Sequence, residues 1–277
     1  MTELTQKWFA GKLPRRARET SKNDYGRVLA VCGWEGYTGA AYFAAQAAVR
    51  TGSGIVTLCV PRQIYPILAV KLNEPVIVPY DTAQPNLTER AARADAILVG
   101  CGLGQSPEAK RLTHELVRQA RCPVVLDADG INAFAGHINL LRDAAAPLIL
   151  TPHAGEFARL TGREPTPENA AAFARETGTV VLLKGYHSTI HTPEGGSFRI
   201  LAGNPGMAKG GSGDVLAGCT LSLLGQRLFS VGETACAAAF LHARAGDLCA
   251  AAVGEYGMTP TDLTGFLPQA LREAEER

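Results

Sequence analysis

The run Asn204-Pro205-Gly206-Met207-Ala208-Lys209-Gly210-Gly211-Ser212-Gly213-Asp214 holds the residues of this chain best suited to chemistry. Four glycines fall within eight residues there, too many for a regular element, whereas Val215 to Leu224 has the apolar composition of a buried helix. A glycine loop feeding a helix start leaves several backbone N–H groups unpaired and aimed at one point, with the positive helix end behind them. That is an anion site, best matched to phosphate, with Gly210, Gly211, Ser212 and Gly213 as its wall. Asp214 falls in the first turn, where the dipole tolerates a carboxylate and where it can reach a group bound at the loop. A phosphate cradle with a carboxylate base beside it is what phosphoryl transfer to a hydroxyl requires. The same residues also fit a plainer role, with Asp214 as a capping or first-turn residue. No Gly-x-x-x-x-Gly-Lys-Ser/Thr occurs, and Gly100-Cys101-Gly102-Leu103-Gly104 lacks the dinucleotide spacing, so the loop belongs to another α/β architecture.

The elements that must position this loop alternate. Strands are expected at Val28–Cys32, Ile55–Val60, Ala96–Val99, Pro123–Asp127, Leu148–Leu150 and Val180–Lys184. Helices are expected at Gly39–Arg50, Pro107–Gln119, Gly155–Leu160 and Glu168–Glu176, with three more closing the chain. The runs near Ser188–Ile190 and Ser197–Leu201 read as antiparallel strands. Near-continuous apolar strands between helices predict an α/β fold with a mostly parallel sheet covered on both faces. No long linker or repeat appears, so residues 1–277 read as one domain with a lead over 1–24. Ligands in such sheets gather at the carboxyl ends of the strands. The polar motifs follow strands there: Cys32-Gly33, the Gly100 run, Asp127-Ala128-Asp129-Gly130, Thr151-Pro152-His153-Ala154-Gly155-Glu156 and Lys184-Gly185-Tyr186-His187-Ser188.

Bulk composition excludes some partners. A net charge of +1, from 27 basic and 26 acidic residues, argues against nucleic acid or an acidic membrane surface. Seven cysteines without a Cys-x-x-Cys pair read as reduced, buried thiols of a cytoplasmic protein. The apolar stretch Ala235–Val253 carries His242, Arg244 and Asp247, so it reads as a core helix and not a membrane span. Asp127 and Asp129 fit either magnesium or capping of the helix near Ile131, and Lys209 fits phosphate or solvent. His187 and His191 read as surface residues of a hairpin.

Taken together these motifs resemble the ribokinase-like superfamily, and within it the ADP/ATP-dependent NAD(P)H-hydrate dehydratases. The resemblance runs from Tyr25 to the last helices, through Tyr37-Thr38-Gly39-Ala40, Gly102-Leu103-Gly104, Leu126–Asn132, the Thr151 motif, Lys184-Gly185 and Met207–Asp214. Vitamin kinases of the superfamily have Asn in place of His153. The resemblance implies that Ala40, Gly104, His153 and Asp214 meet the hydrated dinucleotide. Lys184, Gly185, Tyr186, His187 and Ser188 would lie along the nucleotide with Gly210–Gly213, and Glu156 would serve Mg2+ through water.

The implied reaction repairs the S-form of hydrated NADH or NADPH: a nucleotide phosphorylates the ring hydroxyl and phosphate then leaves. ADP is the expected co-substrate, with ATP the alternative. A homo-oligomer, a tetramer by family habit, is expected, and so is a separate epimerase, for which this chain has no room. The rival expectations are a thiazole, hydroxymethylpyrimidine or pyridoxal kinase of the same fold, and a nucleotide sensor without turnover.

Overall fold

The computed structural model of the protein describes residues 1–275. Ten strands form a single sheet: β1 (Thr2–Leu4), β2 (Arg27–Val31), β3 (Ile55–Pro61), β4 (Val76–Tyr80), β5 (Ala96–Val99), β6 (Val124–Leu126), β7 (Leu148–Leu150), β8 (Val180–Leu183), β9 (Thr189–His191) and β10 (Ser197–Ile200). Their order is β1-β10-β9-β8-β7-β6-β5-β2-β3-β4. Pairing is parallel except where β9 runs against β8 and β10. From β2 the chain builds outward to β3 and β4, then returns to place β5 on the other side of β2 and continues away from it. Strand order therefore reverses between β2 and β5, and an open parallel sheet offers a ligand crevice at such a point.

Both faces of this sheet are covered, and residue alternation divides them. Val28, Ala30 and Cys32 join one apolar cluster, while Leu29 and Val31 join the other. Ala96 and Leu98 pack with the first set, Ile97 and Val99 with the second. The strands read as unbroken apolar runs because successive side chains enter two different cores. Helix Ser212–Gln226 lies over β2 and β5, and glycines set its approach. A Cβ at Gly218 would stand 2.2 Å from the carbonyl oxygen of Ala44, and one at Gly225 would stand 2.3 Å from Val28 Cγ1. That contact brings the start of the helix to the rim where the strand order reverses.

Two strands add to the elements expected from the sequence, and one expectation is corrected. The lead contributes β1, which pairs in parallel with β10 and buries Leu4. The section before Ala96 contains β4, an edge strand carrying Pro79, which lacks the amide that a central strand would need. His191 is not on the surface: it is 1% exposed, its ring nitrogens 3.0 Å from the hydroxyls of Ser197 and Thr189. Burial lowers its pKa to about 4, so it stays neutral. Helix Val231–Val253 is long and apolar enough to cross a membrane by length and composition, yet 56% of its most apolar window is buried inside the fold. All seven cysteines are free and buried.

Candidate active site

The glycine loop is an open cradle. Gly211, at φ +104, takes the left-handed turn that starts helix Ser212–Gln226. A side chain there would be strained and would place its Cβ 2.8 Å from the Phe43 ring. Ser212 donates its amide to the Lys209 carbonyl, and Val215 donates to Gly211. Among the described residues the amides of Gly210, Gly211, Gly213 and Asp214 donate to no protein acceptor. They border a cavity of ≈ 780 Å³ whose wall also includes Lys184 to Ser188, His153 and His242. That volume lies in the range of small-molecule sites. The far wall is held by Asp247, which accepts from the Gly203 amide at 3.1 Å and from the Asn204 side chain at 3.2 Å.

Below the cradle sits a charged cluster made by strand ends. Asp127 follows β6 and is 2% exposed; its Oδ1 accepts from Thr151 Oγ1 and from Lys184 Nζ, each at 2.7 Å. Ala128, at φ +49, turns the chain sharply after it. Asp129 consequently serves elsewhere, its Oδ2 accepting the Gly104 amide at 2.8 Å. The Lys184 amide donates to the Pro152 carbonyl at 2.8 Å, so the β7–β8 pairing persists past the strand ends. This carries Lys184 to 3.9 Å from the Glu156 carboxylate. A Cβ on Gly213 would stand 3.3 Å from Lys184 Nζ, so the ammonium also reaches the cradle.

Electrostatics follow from this crowding. Burial opposes the charge on Lys184, but Asp127 and Glu156 outweigh it and hold the ammonium above its usual value. Burial raises the Glu156 carboxyl against the pull of Lys184. Asp214 is affected most clearly: burial first, then the neighbouring charge of Asp127, push it from 3.8 to about 7. A carboxyl in the first turn of the anion cradle is thereby poised to exchange a proton near neutral pH.

The expected residues divide between two areas. Lys184, Gly185, Tyr186, His187, Ser188, His153, Asp214 and Gly210–Gly213 share the cavity wall, although the Lys184 side chain points into the carboxylate cluster. Ala40 and Gly104 lie at the switch point itself, in the segments that follow β2 and β5 near Gly102, Tyr37 and Trp34, and do not line that cavity. His153 has the capping role that a Pro-His-Ala-Gly turn allows. Its Nδ1 accepts from the Gly155 and Glu156 amides at 3.0 and 3.3 Å, and Glu156 Oε2 in turn accepts from the His153 amide at 2.8 Å. Its side chain is nevertheless 56% exposed at the cavity edge.

Lys209 is structural, donating to the carbonyls of Tyr256 at 2.8 Å and Met258 at 2.5 Å. Gly213 is helical, and the left-handed turn of the loop belongs to Gly211. Sequence reasoning missed Cys101 as a neighbour of Asp214, and also His242, whose Nε2 lies 2.9 Å from the Ser212 carbonyl. Burial lowers His242 to about 4. Nothing in its alanine-rich surroundings marks it out.

Residues 28–269 match the family model described as NAD(P)H-hydrate dehydratase. An ADP-dependent (S)-NAD(P)H-hydrate dehydratase of Listeria monocytogenes is 33% identical over 274 residues, covering 98% of this chain and 97% of that protein. The chain belongs to the NAD(P)H-hydrate dehydratase family. A bifunctional NAD(P)H-hydrate repair enzyme of Moorella thermoacetica is 43% identical, across 99% of this chain but 54% of that protein. The chain thus spans about half the length of the first curated relatives it matches. The ADP/ATP-dependent NAD(P)H-hydrate dehydratase of Bacillus subtilis, co-crystallised with ATP and Mg2+, superposes with a TM-score of 0.86 at 28% identity, covering 99% of each chain. The architecture of this dehydratase-family chain is ribokinase-like.

Proposed function

We propose that the protein catalyses nucleotide-dependent dehydration of the S-form of hydrated NADH or NADPH, returning the reduced cofactor. The observation that carries this reading is Asp214. Its half-buried carboxyl is raised to about 7 beside amides that lack acceptors, so a general base and a phosphate cradle coincide. Asp214 accepts the proton of the ring hydroxyl as that oxygen attacks the terminal phosphate of the nucleotide. The amides of Gly210, Gly211 and Gly213 hold the negative charge that grows on the transferred group. Phosphate, a better leaving group than hydroxide, then departs by elimination. ADP is favoured as co-substrate by the ADP dependence of the Listeria relative.

Three carboxylates, Asp127, Glu156 and Asp214, surround the single ammonium of Lys184, and this excess of negative charge fits a divalent cation. Asp127 Oδ2 and, through water, Glu156 would hold Mg2+, whose charge would offset that of the nucleotide phosphates. Ala40 and Gly104 would contact the dinucleotide on the far side of Asp214, with His153 at the cavity edge. We assign the activity to the cytoplasm and to a homo-oligomer, working with an epimerase that interconverts the two hydrate forms. Incubation with hydrated NADH and either ADP or ATP tests the reading. Return of the reduced-nicotinamide absorbance supports it, and its absence with both nucleotides and Mg2+ overturns it.

A further inference from the structure

The glycine loop is fixed from both ends, and the two ends are fixed differently. Gly210 has open space where a Cβ would stand, and Gly211 adopts φ +104. A glycine pair of this kind samples many conformations unless its flanks are held. On one flank helix Ser212–Gln226 does the holding. On the other stands Lys209, with each of its polar groups engaged. Its amide donates to the Met207 carbonyl at 2.8 Å, and its carbonyl accepts from the Ser212 amide at 3.2 Å. Its ammonium donates to the carbonyls of Tyr256 at 2.8 Å and Met258 at 2.5 Å.

Those two carbonyls belong to the turn over residues 254–258, which follows helix Val231–Val253. The Met258 amide closes this turn by donating to the Gly254 carbonyl at 3.1 Å, and the Met258 side chain roots it in the core at 1% exposure. The loop meets the same turn at a second point. A Cβ on Gly206 would stand 2.4 Å from Met258 Sδ and 2.6 Å from the Glu255 carbonyl oxygen, so the two backbones touch there. The turn itself does not border the cavity. Lys209 does border it, yet both hydrogen bonds of its ammonium go to the turn. Lys209 makes no ion pair among the described residues. Its charge instead strengthens two bonds to neutral carbonyls.

We propose that Lys209 is a positioning residue for the nucleotide: by tying the start of the glycine loop to turn 254–258, it holds the Gly210 and Gly211 amides in their phosphate-binding arrangement before the ligand arrives. The inference rests on the reading of this loop as the phosphate cradle. A loop ordered during folding loses little further freedom when phosphate binds, so its affinity is higher. Lys209 thus acts on affinity through Gly210 and Gly211, and leaves the chemistry at Asp214 unchanged.

Calorimetric titration of the whole protein with ADP and with ATP, in the presence of Mg2+, tests this. Lys209→Ala is expected to raise nucleotide Kd roughly tenfold, as when about one residue's backbone ordering passes to the binding step. At saturating nucleotide kcat should stay within about twofold of native, and the melting temperature within about 5 °C. Propylammonium carries the carbons and the ammonium that the substitution removes, and it should restore affinity. Tetramethylammonium at the same concentration cannot donate and should not. In the native protein, hydrogen exchange of the amides of turn 254–258 should slow when ADP binds, a measurement that stands however Lys209→Ala folds. Unchanged Kd with a lowered melting temperature would make Lys209 a stabilising contact only and overturn the proposal. Faster exchange in the turn would mean that the ammonium leaves its carbonyls for phosphate, and unchanged exchange that the turn is not coupled to the loop; either overturns it. Gly211→Val separates the underlying reading. If that variant alone loses affinity, only the role of Lys209 falls; if both variants bind nucleotide as the native protein does, the loop is not the cradle.

Discussion

In the loop from Gly210 to Gly213 the site is made of backbone, and its donors are left without partners. In the cluster beside it the site is made of side chains: Asp127 alone accepts from Thr151 and Lys184 and touches Cys101. The two regions meet at Asp214, which belongs to the helix of the first and to the electrostatics of the second. An unpaired amide is a standing demand for an anion, and it costs little while water can reach it. A buried carboxylate has no such outlet, so it must be paired, hydrogen-bonded or protonated. The cradle is therefore suited to gripping a ligand, and the cluster to setting where a proton resides. A mutation in one should alter affinity, and a mutation in the other should alter rate and pH dependence.

The largest expected effect tests the second half of that division. Asp214→Asn should lower kcat by roughly 10²–10⁴-fold. Nucleotide affinity should change little, because the amides and not the carboxylate hold phosphate. In the native enzyme activity should fall as the pH drops through about 7, since the base must be ionised. Steady-state kinetics beside calorimetric titration of nucleotide would show the split. A variant that loses nucleotide binding in step with turnover would break the comparison.

Gly211→Val is the matching test of the cradle. The residue sits at φ +104, and its new side chain would meet the Phe43 ring. We expect nucleotide Kd to rise on the order of 10- to 100-fold, equivalent to about 1.4–2.8 kcal/mol. The apparent pKa of the kcat profile should stay near that of the native protein. Unchanged affinity in a folded variant would remove the loop from the nucleotide site.

Stability sharpens the contrast, because a strained base should destabilise the empty enzyme. The native state holds the Asp214 proton more tightly than the unfolded chain does, since the pKa is raised from 3.8 to about 7. Its contribution to stability is thus fully present below about 3.8 and is lost as pH rises through about 7. Asparagine does not titrate. Asp214→Asn should therefore be more stable than the native protein at pH 8, by on the order of 1–3 kcal/mol, with the gain shrinking toward pH 4. Melting curves at both pH values would decide it, and a variant less stable at pH 8 would show that the carboxylate is well accommodated.

His153→Ala is expected to have the smallest effect, because His153 borders the cavity while capping a helix. Loss of the cap should cost about 0.5–2 kcal/mol of stability. If the exposed ring also meets the dinucleotide, KM for the hydrate should rise a few-fold with KM for nucleotide steady. Equal changes in both would assign His153 to the helix alone.

The sequence alone determined the glycine loop, the helix after it, the first-turn carboxylate and most of the parallel strands, because these follow from local rules. Glycine density, unbroken apolar runs and position in a helix are properties of a few neighbouring residues. The residue order also carried the family resemblance that the comparisons bear out. Only the tertiary structure decided that Asp127 is bound by Thr151 and Lys184, that Asp129 faces Gly104, and that Lys209 is spent on two carbonyls. It also decided that Cys101 stands between two carboxylates and that Asp214 titrates near neutrality. These properties arise where strand ends far apart in the chain converge in a dry crevice. Proton affinity there depends on burial and on charges from three separate segments, and no local pattern of residue types encodes that sum.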